Sequence, residues 1–424
     1  MTVKSLAIVP MNQRSIKRSH YDHEILLLQG GGALGSYHAG VYEGLAEAGM
    51  TPTWVVGISI GAINAAIIAG NPPERRLERL REFWDHVSAY APLTLHSVLD
   101  PIRPFLDRLS VWSVATCGIP GFFVPRLPSP LLAPAASPDV LSFYDTSPLE
   151  QTLEALVDFD LLNSGKIRLS LGATNVRTSE SKYFDTRDTR ITPKHVMASG
   201  ALPPAFPAVE IDGEEYWDGG LVSNTPITYV FDQRPLTTAL FVQVNLFPSK
   251  GKKPEDMVQV LERMKEIQYS SKQRFGTERL REIGELRAAI GRLMAKLPAR
   301  VKDDPDVVQI GRHCDAREWT VAYLTDTYRT QAGQWKDAEF SRATVNERWA
   351  GGLEAVRRSL ANREWTVPSV EIPGVRVYNL PPEPPEDETI CANEGEGKKR
   401  KPRSRPSRRS RQERASRSAL SAVH

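Results

Sequence analysis

Ser59 lies in a segment whose residue types suit a catalytic nucleophile. The run Gly57-Ile58-Ser59-Ile60-Gly61 separates a β-branched stretch at residues 53–56 from an apolar, helix-forming stretch at residues 62–68. A serine at the apex of such a strand–turn–helix unit presents its hydroxyl above a helix N-terminus. Gly57 and Gly61 are expected where the backbone bends too tightly for a Cβ. The pattern predicts a serine nucleophile for acyl chemistry.

A second glycine-rich turn lies upstream at residues 29–35, directly after the apolar residues 25–28. Backbone amides in such a turn can stabilise the oxyanion that forms when a nucleophile attacks an ester. We therefore expect a row of backbone N–H groups, from Gly30, Gly31, Gly32, Ala33 and Gly35, to face the serine.

The same glycines also fit a dinucleotide-binding fingerprint, Gly30-x-Gly32-x-x-Gly35. That interpretation needs an acidic residue about 20 positions on, at the end of the second strand, to bind the ribose hydroxyls. The second strand ends instead in Val55-Val56-Gly57 and leads into the serine turn. Dinucleotide binding is therefore the less favoured alternative.

A serine hydroxyl needs a base to become a nucleophile at neutral pH. The chain has 8 histidines, and none follows a strand in an acid-then-histidine arrangement. His38, in the first predicted helix, and His313, late in the chain, are the two histidine candidates. A packing or surface role is the simpler interpretation for His38, and His313 is the only late candidate suited to a hydrolase triad.

Asp218 is the stronger candidate for the base. It ends the predicted strand Tyr216-Trp217-Asp218 and is followed by Gly219 and Gly220, although Asp-Gly-Gly is also an ordinary turn. A buried carboxylate with a raised pKa could accept the serine proton without a histidine. Asn224-Thr225-Pro226, shortly after, is typical of a helix N-terminus.

The surrounding elements predict an α/β fold. Strands are expected at residues 167–173 and 239–246, and helices at residues 37–48 and 75–87. A short hairpin is expected around Gly213. Continuously apolar strands that alternate with helices indicate a mainly parallel sheet sandwiched between helical layers.

We divide the chain into an N-terminal extension (1–23), a catalytic domain (24–253), a mostly helical appended region (254–380) and a disordered basic tail (381–424). The catalytic domain is interrupted by a proline-rich insertion at about 91–147. This insertion is either a collapsed surface loop or an apolar cap over the serine, which would receive acyl chains or touch a lipid surface.

The appended region shows a helical period. An apolar stripe at Leu280, Ile283, Leu286, Ile290, Leu293 and Leu297 predicts a helical hairpin, packed on the body of the protein or on a second copy. Residues 320–360 are also predicted to be helical. The expected core residues in this part of the chain are Trp319, Tyr323, Phe340 and Trp349.

Composition places the chain among ordinary globular proteins, with 41% hydrophobic and 25% charged residues. Cys117, Cys314 and Cys391 are scattered, so we expect neither a disulfide framework nor a metal site, and a reducing compartment. Residues 1–23 lack the apolar core of a secretory signal, and no apolar run is long enough to span a membrane. We therefore expect a cytoplasmic protein, with peripheral contact to membranes as an option.

The basic tail carries most of the charge asymmetry. Residues 398–424 hold eleven Lys or Arg and one acid, Glu413, a net charge of +10. Because the whole chain carries +3, the remaining residues carry −7. The tail is a solvated extension or a contact for anionic membrane lipids. Nucleic acid is not an expected partner, because the run contains no aromatic residue for base stacking.

The chain resembles the patatin-like phospholipases, lipid acyl hydrolases with a serine–aspartate dyad on an α/β sheet. Four blocks match this family in order: residues 30–35, 57–61, 198–207 (Ala-Ser-Gly-Ala-Leu-Pro-Pro-Ala-Phe-Pro) and 218–220. The resemblance covers roughly residues 24–248. It implies that Ser59 is the nucleophile, Asp218 its partner and the glycine turn the oxyanion hole, with no metal or organic cofactor. It also implies lipid ester substrates, phospholipids or lysophospholipids, cleaved through an acyl-enzyme.

One position departs from the family pattern. Many members carry a basic residue where this chain has Leu34, which removes a cation near the oxyanion site. We expect tuned activity or altered substrate preference rather than inactivity. Acyl transfer to an alcohol or thiol carrier by the same nucleophile stays an alternative.

Overall fold

A single large sheet organises the computed structural model, which describes residues 21–88, 103–128, 130, 141–233, 238–251, 253–311, 318–327, 335–368 and 374–381. The strands are β1 (His23–Leu28), β2 (Trp54–Ile58), β3 (Val124–Pro125), β4 (Tyr144–Asp145), β5 (Arg168–Asn175), β6 (Ser181–Asp185), β7 (Val209–Ile211), β8 (Glu214–Asp218), β9 (Ala239–Asn245), β10 (Glu318–Thr325) and β11 (Gly374–Leu380). Within the described residues, nine of these form one sheet in the order β11-β10-β9-β1-β2-β5-β8-β7, and β6 also pairs with β5.

Neighbouring strands from β11 to β5 are parallel, whereas β6, β8 and β7 are added in antiparallel pairs. The helices are α1 (Ser36–Glu47), α2 (Ile60–Ala69), α3 (Arg76–Ser88), α4 (Arg103–Cys117), α5 (Ser147–Leu156), α6 (Phe159–Leu162), α7 (Pro193–Gly200), α8 (Ile227–Asp232), α9 (Met257–Ala295), α10 (Pro305–Gly311) and α11 (Arg342–Ser359).

The central strands are apolar on both faces. In β1, Leu26 and Leu28 belong to one buried cluster, with residues of α1, α2, α3 and α11, while Ile25 and Leu27 belong to a second cluster with residues of α8. Side chains alternate between the two faces of a strand, so both faces must be covered. The mainly parallel sheet between helical layers confirms the predicted α/β class.

Most of the predicted elements near the glycine turns are confirmed. The strands expected at 167–173 and 239–246 are β5 and β9, and the hairpin around Gly213 is formed by β7 and β8. The helices expected at 37–48 and 75–87 are α1 and α3.

Two predictions for the later part of the chain are wrong. Residues 257–295 form one continuous helix rather than a hairpin, and residues 318–325 form a strand rather than the start of a helix. The prediction for β10 failed because this strand is buried on both faces. Its sequence therefore lacks the alternation of apolar and polar residues that marks a half-exposed strand. Trp319, Tyr323, Phe340 and Trp349 are buried as expected.

The packing of α9 also differs from the expected stripe. Gly284 and Ala288 are buried, and a Cβ on Gly284 would lie 2.6 Å from the side chain of Val375 on β11. Leu286 and Leu293 are exposed. Small residues thus let α9 approach the sheet, and contact of the stripe with a second copy stays a prediction.

The sheet extends beyond residue 253. β10 pairs with β9 over seven residue pairs, and β11 continues the parallel sheet from β10. The proposed domain division therefore stays a prediction, with the addition that the appended region supplies two strands. The described residues all belong to the unit Met1–Pro381, and residues 1–20 and 382–424 lie outside the described residues. No helix in the described part of the chain has the length and apolar character of a membrane span.

Candidate active site

Ser59 occupies a strained turn between β2 and α2. Its φ of 57° and ψ of −126° are rare for a residue other than glycine. A Cβ on Gly57 would lie 2.3 Å from the carbonyl oxygen of Gly61, and one on Gly61 would lie 2.4 Å from that of Leu28. Both glycines are therefore required by close backbone approach, as the sequence predicts.

The elbow is fastened by a residue of the third matching block. The Ser59 amide donates to the carbonyl oxygen and to the Oγ of Ser199, both at 3.1 Å. The Ser199 hydroxyl in turn donates to the carbonyl oxygen of Gly172 at 2.6 Å. The end of α7 thus ties the Ser59 turn to β5.

Asp218 ends β8, which pairs antiparallel with the end of β5. Its backbone amide donates to Ala201 at 2.9 Å, and its carbonyl oxygen accepts from the Thr174 hydroxyl at 3.0 Å. The next residue, Gly219, has no room for a Cβ, which would lie 2.5 Å from the carbonyl oxygen of Gly172. The carboxyl group therefore lies at the end of β8, where this strand pairs with β5.

The environment of the Asp218 carboxyl favours a partly protonated acid. The side chain is buried, and burial raises the pKa of Asp218 to about 6. The neighbouring Ser59 hydroxyl and the Gly220 amide lower this pKa in part; the Gly220 nitrogen lies 2.7 Å from Oδ1. The structure thus brings together the two side chains that the sequence singled out.

The glycine turn is clamped by a residue whose role the sequence did not indicate. The Asn224 side chain accepts from the Gly30 amide at 2.9 Å and donates to the Gly30 carbonyl oxygen at 3.0 Å. A Cβ on Gly30 would lie 3.0 Å from the Cβ of Ser59 and 2.5 Å from the Asn224 amide oxygen. Asn224 is not a helix cap, because α8 begins at Ile227 with Pro226 as its N-cap.

Not every amide of the turn is available for an oxyanion. The Gly30 amide is bound by Asn224, and the Ala33 amide donates to the carbonyl oxygen of Asp337 at 2.8 Å. This corrects the expectation for these two amides. Among the described residues, the Gly31 and Gly32 amides have no acceptor, and both residues line the cavity described next.

Gly35 has a packing role. A Cβ there would lie 2.6 Å from the Ile60 side chain, so the missing side chain lets the turn lie close to the start of α2. Leu34, the position of the missing cation, is buried in the core.

A cavity of about 330 Å³ is lined by Ser59, Asp218 and residues 30–32. Its walls are mainly apolar. Side chains that contribute are Val111, Val114, Phe122, Phe123, Phe206 and Phe340. The first four belong to the described part of the insertion at 91–147, which supports the apolar-cap interpretation for that part. Residues 89–102, 129 and 131–140 lie outside the described residues.

The structure describes one of the two histidine candidates, His38. His38 is buried in α1, its Nδ1 lies 3.3 Å from the Asn64 side-chain nitrogen, and burial lowers its pKa to about 3. It does not line the cavity. His313 lies outside the described residues. Among the residues that the structure describes, no group of three or more His, Cys, Asp or Glu could hold a metal ion.

Two family models match the sequence. The patatin-like phospholipase model matches residues 26–231, and a patatin phospholipase model matches residues 267–371. The first range contains all four blocks of the active-site geometry, and the second begins within α9. The chain belongs to the patatin-like phospholipase family and is a hydrolase. No curated protein matches the chain significantly.

Solved structures with a related arrangement are distant. The chain is 17% identical to VipD from Legionella pneumophila, with a TM-score of 0.33, over 79% of this chain and 67% of VipD. It is 18% identical to full-length ExoU, solved in complex with SpcU from the type III secretion system of Pseudomonas aeruginosa, with a TM-score of 0.25. That match covers 60% of this chain and 51% of the other. At such TM-scores neither likeness bears on function.

Proposed function

We propose that this protein hydrolyses carboxylic esters of phospholipids or lysophospholipids by a Ser59–Asp218 dyad through an acyl-enzyme. One observation carries the proposal: a serine on a strained elbow and a buried carboxyl with a raised pKa line the same apolar cavity. Family membership supports the lipid substrate. Cytoplasmic location remains part of the proposal.

In the first step, the Ser59 hydroxyl attacks the ester carbonyl while the Asp218 carboxylate accepts its proton. The carbonyl oxygen becomes an oxyanion next to the Gly31 and Gly32 amides and the N-terminus of α2. As the carbon–oxygen bond to the alcohol breaks, protonated Asp218 returns the proton to the leaving alkoxide. The products of this step are the free alcohol and an acyl ester of Ser59.

In the second step, Asp218 removes a proton from water, which attacks the acyl ester. Collapse of this second oxyanion releases the fatty acid, and the proton returns to the Ser59 oxygen. The apolar walls from the insertion would hold the acyl chain, which gains free energy by leaving water. The basic tail would add attraction to anionic lipid surfaces.

The test replaces the nucleophile. Ser59→Ala should lower turnover of a p-nitrophenyl ester by about 10³-fold or more and abolish labelling by a fluorophosphonate probe. A matched control is Ser88→Ala, because Ser88 is buried and its hydroxyl donates to Trp84 at 2.6 Å outside the cavity. This variant should keep both its turnover of the ester and its labelling by the probe. Full turnover in the Ser59→Ala variant would refute the dyad.

Acyl transfer stays an alternative prediction for the same nucleophile. Hydrolysis yields only free fatty acid, whereas transfer yields a new ester when an acceptor alcohol is present. Product analysis with and without the acceptor separates these two reactions.

A further inference from the structure

The glycine turn contacts a short segment that precedes α11. We call residues 335–341 the clasp segment. The Ala33 amide donates to the Asp337 carbonyl oxygen at 2.8 Å, and a Cβ on Gly32 would lie 2.3 Å from the same oxygen. Trp335 also lines the cavity. The backbone of the clasp segment therefore lies directly against the turn.

Side chains of α9 fix the clasp segment by charge. The Lys265 ammonium lies 2.6 Å from both carboxylate oxygens of Asp337. The buried Lys336 ammonium donates to Glu266 at 2.7 Å and to Glu262 at 3.1 Å. Charge-assisted hydrogen bonds at these distances are among the stronger polar contacts in proteins. Two adjacent residues of the clasp segment are thus anchored on one helix.

A third contact comes from α11. Arg348 of α11 is fully buried and donates to the Lys336 carbonyl oxygen at 3.2 Å. The clasp segment is therefore held between α9 and α11 while its Asp337 carbonyl oxygen faces the turn.

Helix α9 is itself tied to the strands that carry the turn. The Tyr269 carbonyl oxygen accepts from the Gln29 side chain at 3.1 Å, and that side chain also accepts from the Leu246 amide at 2.6 Å. The Tyr269 ring stacks on Phe247, with ring centroids 5.0 Å apart, and both residues line the cavity. These contacts attach α9 to the ends of β1 and β9, and the glycine turn follows β1 directly.

We propose that Lys265 and Asp337 are positioning residues for the oxyanion turn. Their ion pair fixes the Asp337 carbonyl oxygen, this oxygen fixes Ala33, and the ordered turn aims the Gly31 and Gly32 amides into the cavity. Oxyanion donors act only within hydrogen-bond distance of the charge that develops, so a small displacement of the turn lowers the rate. This proposal rests on the function proposed above, because it needs an acyl transition state at Ser59.

The kinetic test compares ion-pair variants on a short p-nitrophenyl ester. Lys265→Met and Asp337→Asn should each lower kcat about tenfold and change KM less than twofold, because the turn acts on the transition state. The double variant should be no slower than the single variants, since both changes break one interaction. Lys265→Arg keeps a cation and should retain most of the activity.

The matched control is Arg281→Met. Arg281 lies on the same helix and pairs with Glu285 at 3.1 Å on the exposed surface, away from the cavity. Its loss should leave kcat and KM unchanged. A merely structural role for Lys265 and Asp337 would lower the melting temperature without changing kcat per folded molecule.

A second measurement does not depend on turnover. Hydrogen exchange of the Ala33 amide, followed in a peptide covering residues 29–36, should be faster in Lys265→Met than in the wild type. A peptide from α2 should exchange at the same rate in both proteins. Unchanged Ala33 exchange, or kcat within twofold of wild type in both single variants, overturns the positioning role. Wild-type activity that survives Ser59→Ala would instead refute the dyad, so the two failures are distinguishable.

Discussion

The Asp218 carboxyl group is buried, although the proposed mechanism requires its charged form. As the proposed base it must be ionised to accept the serine proton, yet its surroundings favour the neutral acid and raise its pKa to about 6. A base with this pKa is well matched to work near neutral pH, because it is ionised there and still binds a proton readily.

The pH dependence of activity follows from this pKa. We expect kcat/KM on a soluble ester to rise through about pH 6 and then to level off, because only the carboxylate form of Asp218 can act as the base. A pH–rate profile of the wild type measures this limb. A rate that is constant from pH 5 to pH 8 would contradict the assignment of Asp218.

The same pKa makes a prediction for stability. The folded-state pKa lies above the usual value near 3.9, so the proton is bound more tightly in the folded state. The stabilising contribution of Asp218 is therefore complete below about pH 4 and is lost as the pH rises through about 6. Asp218→Asn avoids this loss and should raise the free energy of unfolding at pH 8 by roughly 1–3 kcal/mol while abolishing turnover. Urea titrations at pH 4 and pH 8 measure the difference between the two proteins.

At the scale of elements, the site depends on how the β1–α1 turn meets the β8–α8 loop. Asn224, in the loop, satisfies both the amide and the carbonyl group of Gly30 in the turn. Buried backbone groups that lose a partner are costly, so this single side chain fixes the relative position of two loops.

Asn224→Ala should disturb both stability and catalysis. We expect the free energy of unfolding to fall by about 1–3 kcal/mol, and kcat to fall about tenfold or more as the turn moves. Asn71→Ala is the matched control, because Asn71 is buried and donates to the Ile67 and Leu156 carbonyl oxygens outside the cavity. The control should lose comparable stability and keep its kcat per folded molecule. Equal kcat values for the two variants would show that Asn224 only stabilises the fold.

At the scale of the whole molecule, the residues after 253 are part of the fold that carries the site. They add β10 and β11 to the sheet next to β9, and Phe340 from this part stacks on Trp84 of α3 with ring centroids 6.5 Å apart. Without them, a strand with seven buried residues would become an edge with unpaired backbone groups.

Two truncations test this role. A chain that ends at residue 253 should be insoluble or lack cooperative unfolding, because β9 and the core side chains around it would be exposed.

A chain that ends at Pro381 keeps every described strand and should retain full activity on a soluble ester. Its binding to anionic vesicles should weaken, because the basic tail is lost. Circular dichroism, esterase assays and vesicle co-sedimentation measure these outcomes. A soluble, active chain ending at residue 253 would contradict the structural role.

The sequence by itself determined the strand–turn–helix unit at Ser59, the carboxyl group at the end of β8, the α/β class and the family. These features depend on local patterns, such as glycines where a Cβ cannot fit and apolar runs as long as a strand. Residues that are neighbours in sequence form these patterns, so the patterns can be recognised without the tertiary structure.

Only the tertiary structure decided which amides of the glycine turn are free and which residues hold them. Asn224 and Asp337 act through backbone groups of residues far away in the chain, and β10 belongs to the sheet only because β9 lies beside it. Such contacts form between segments that are distant in sequence, so no local pattern carries their signal.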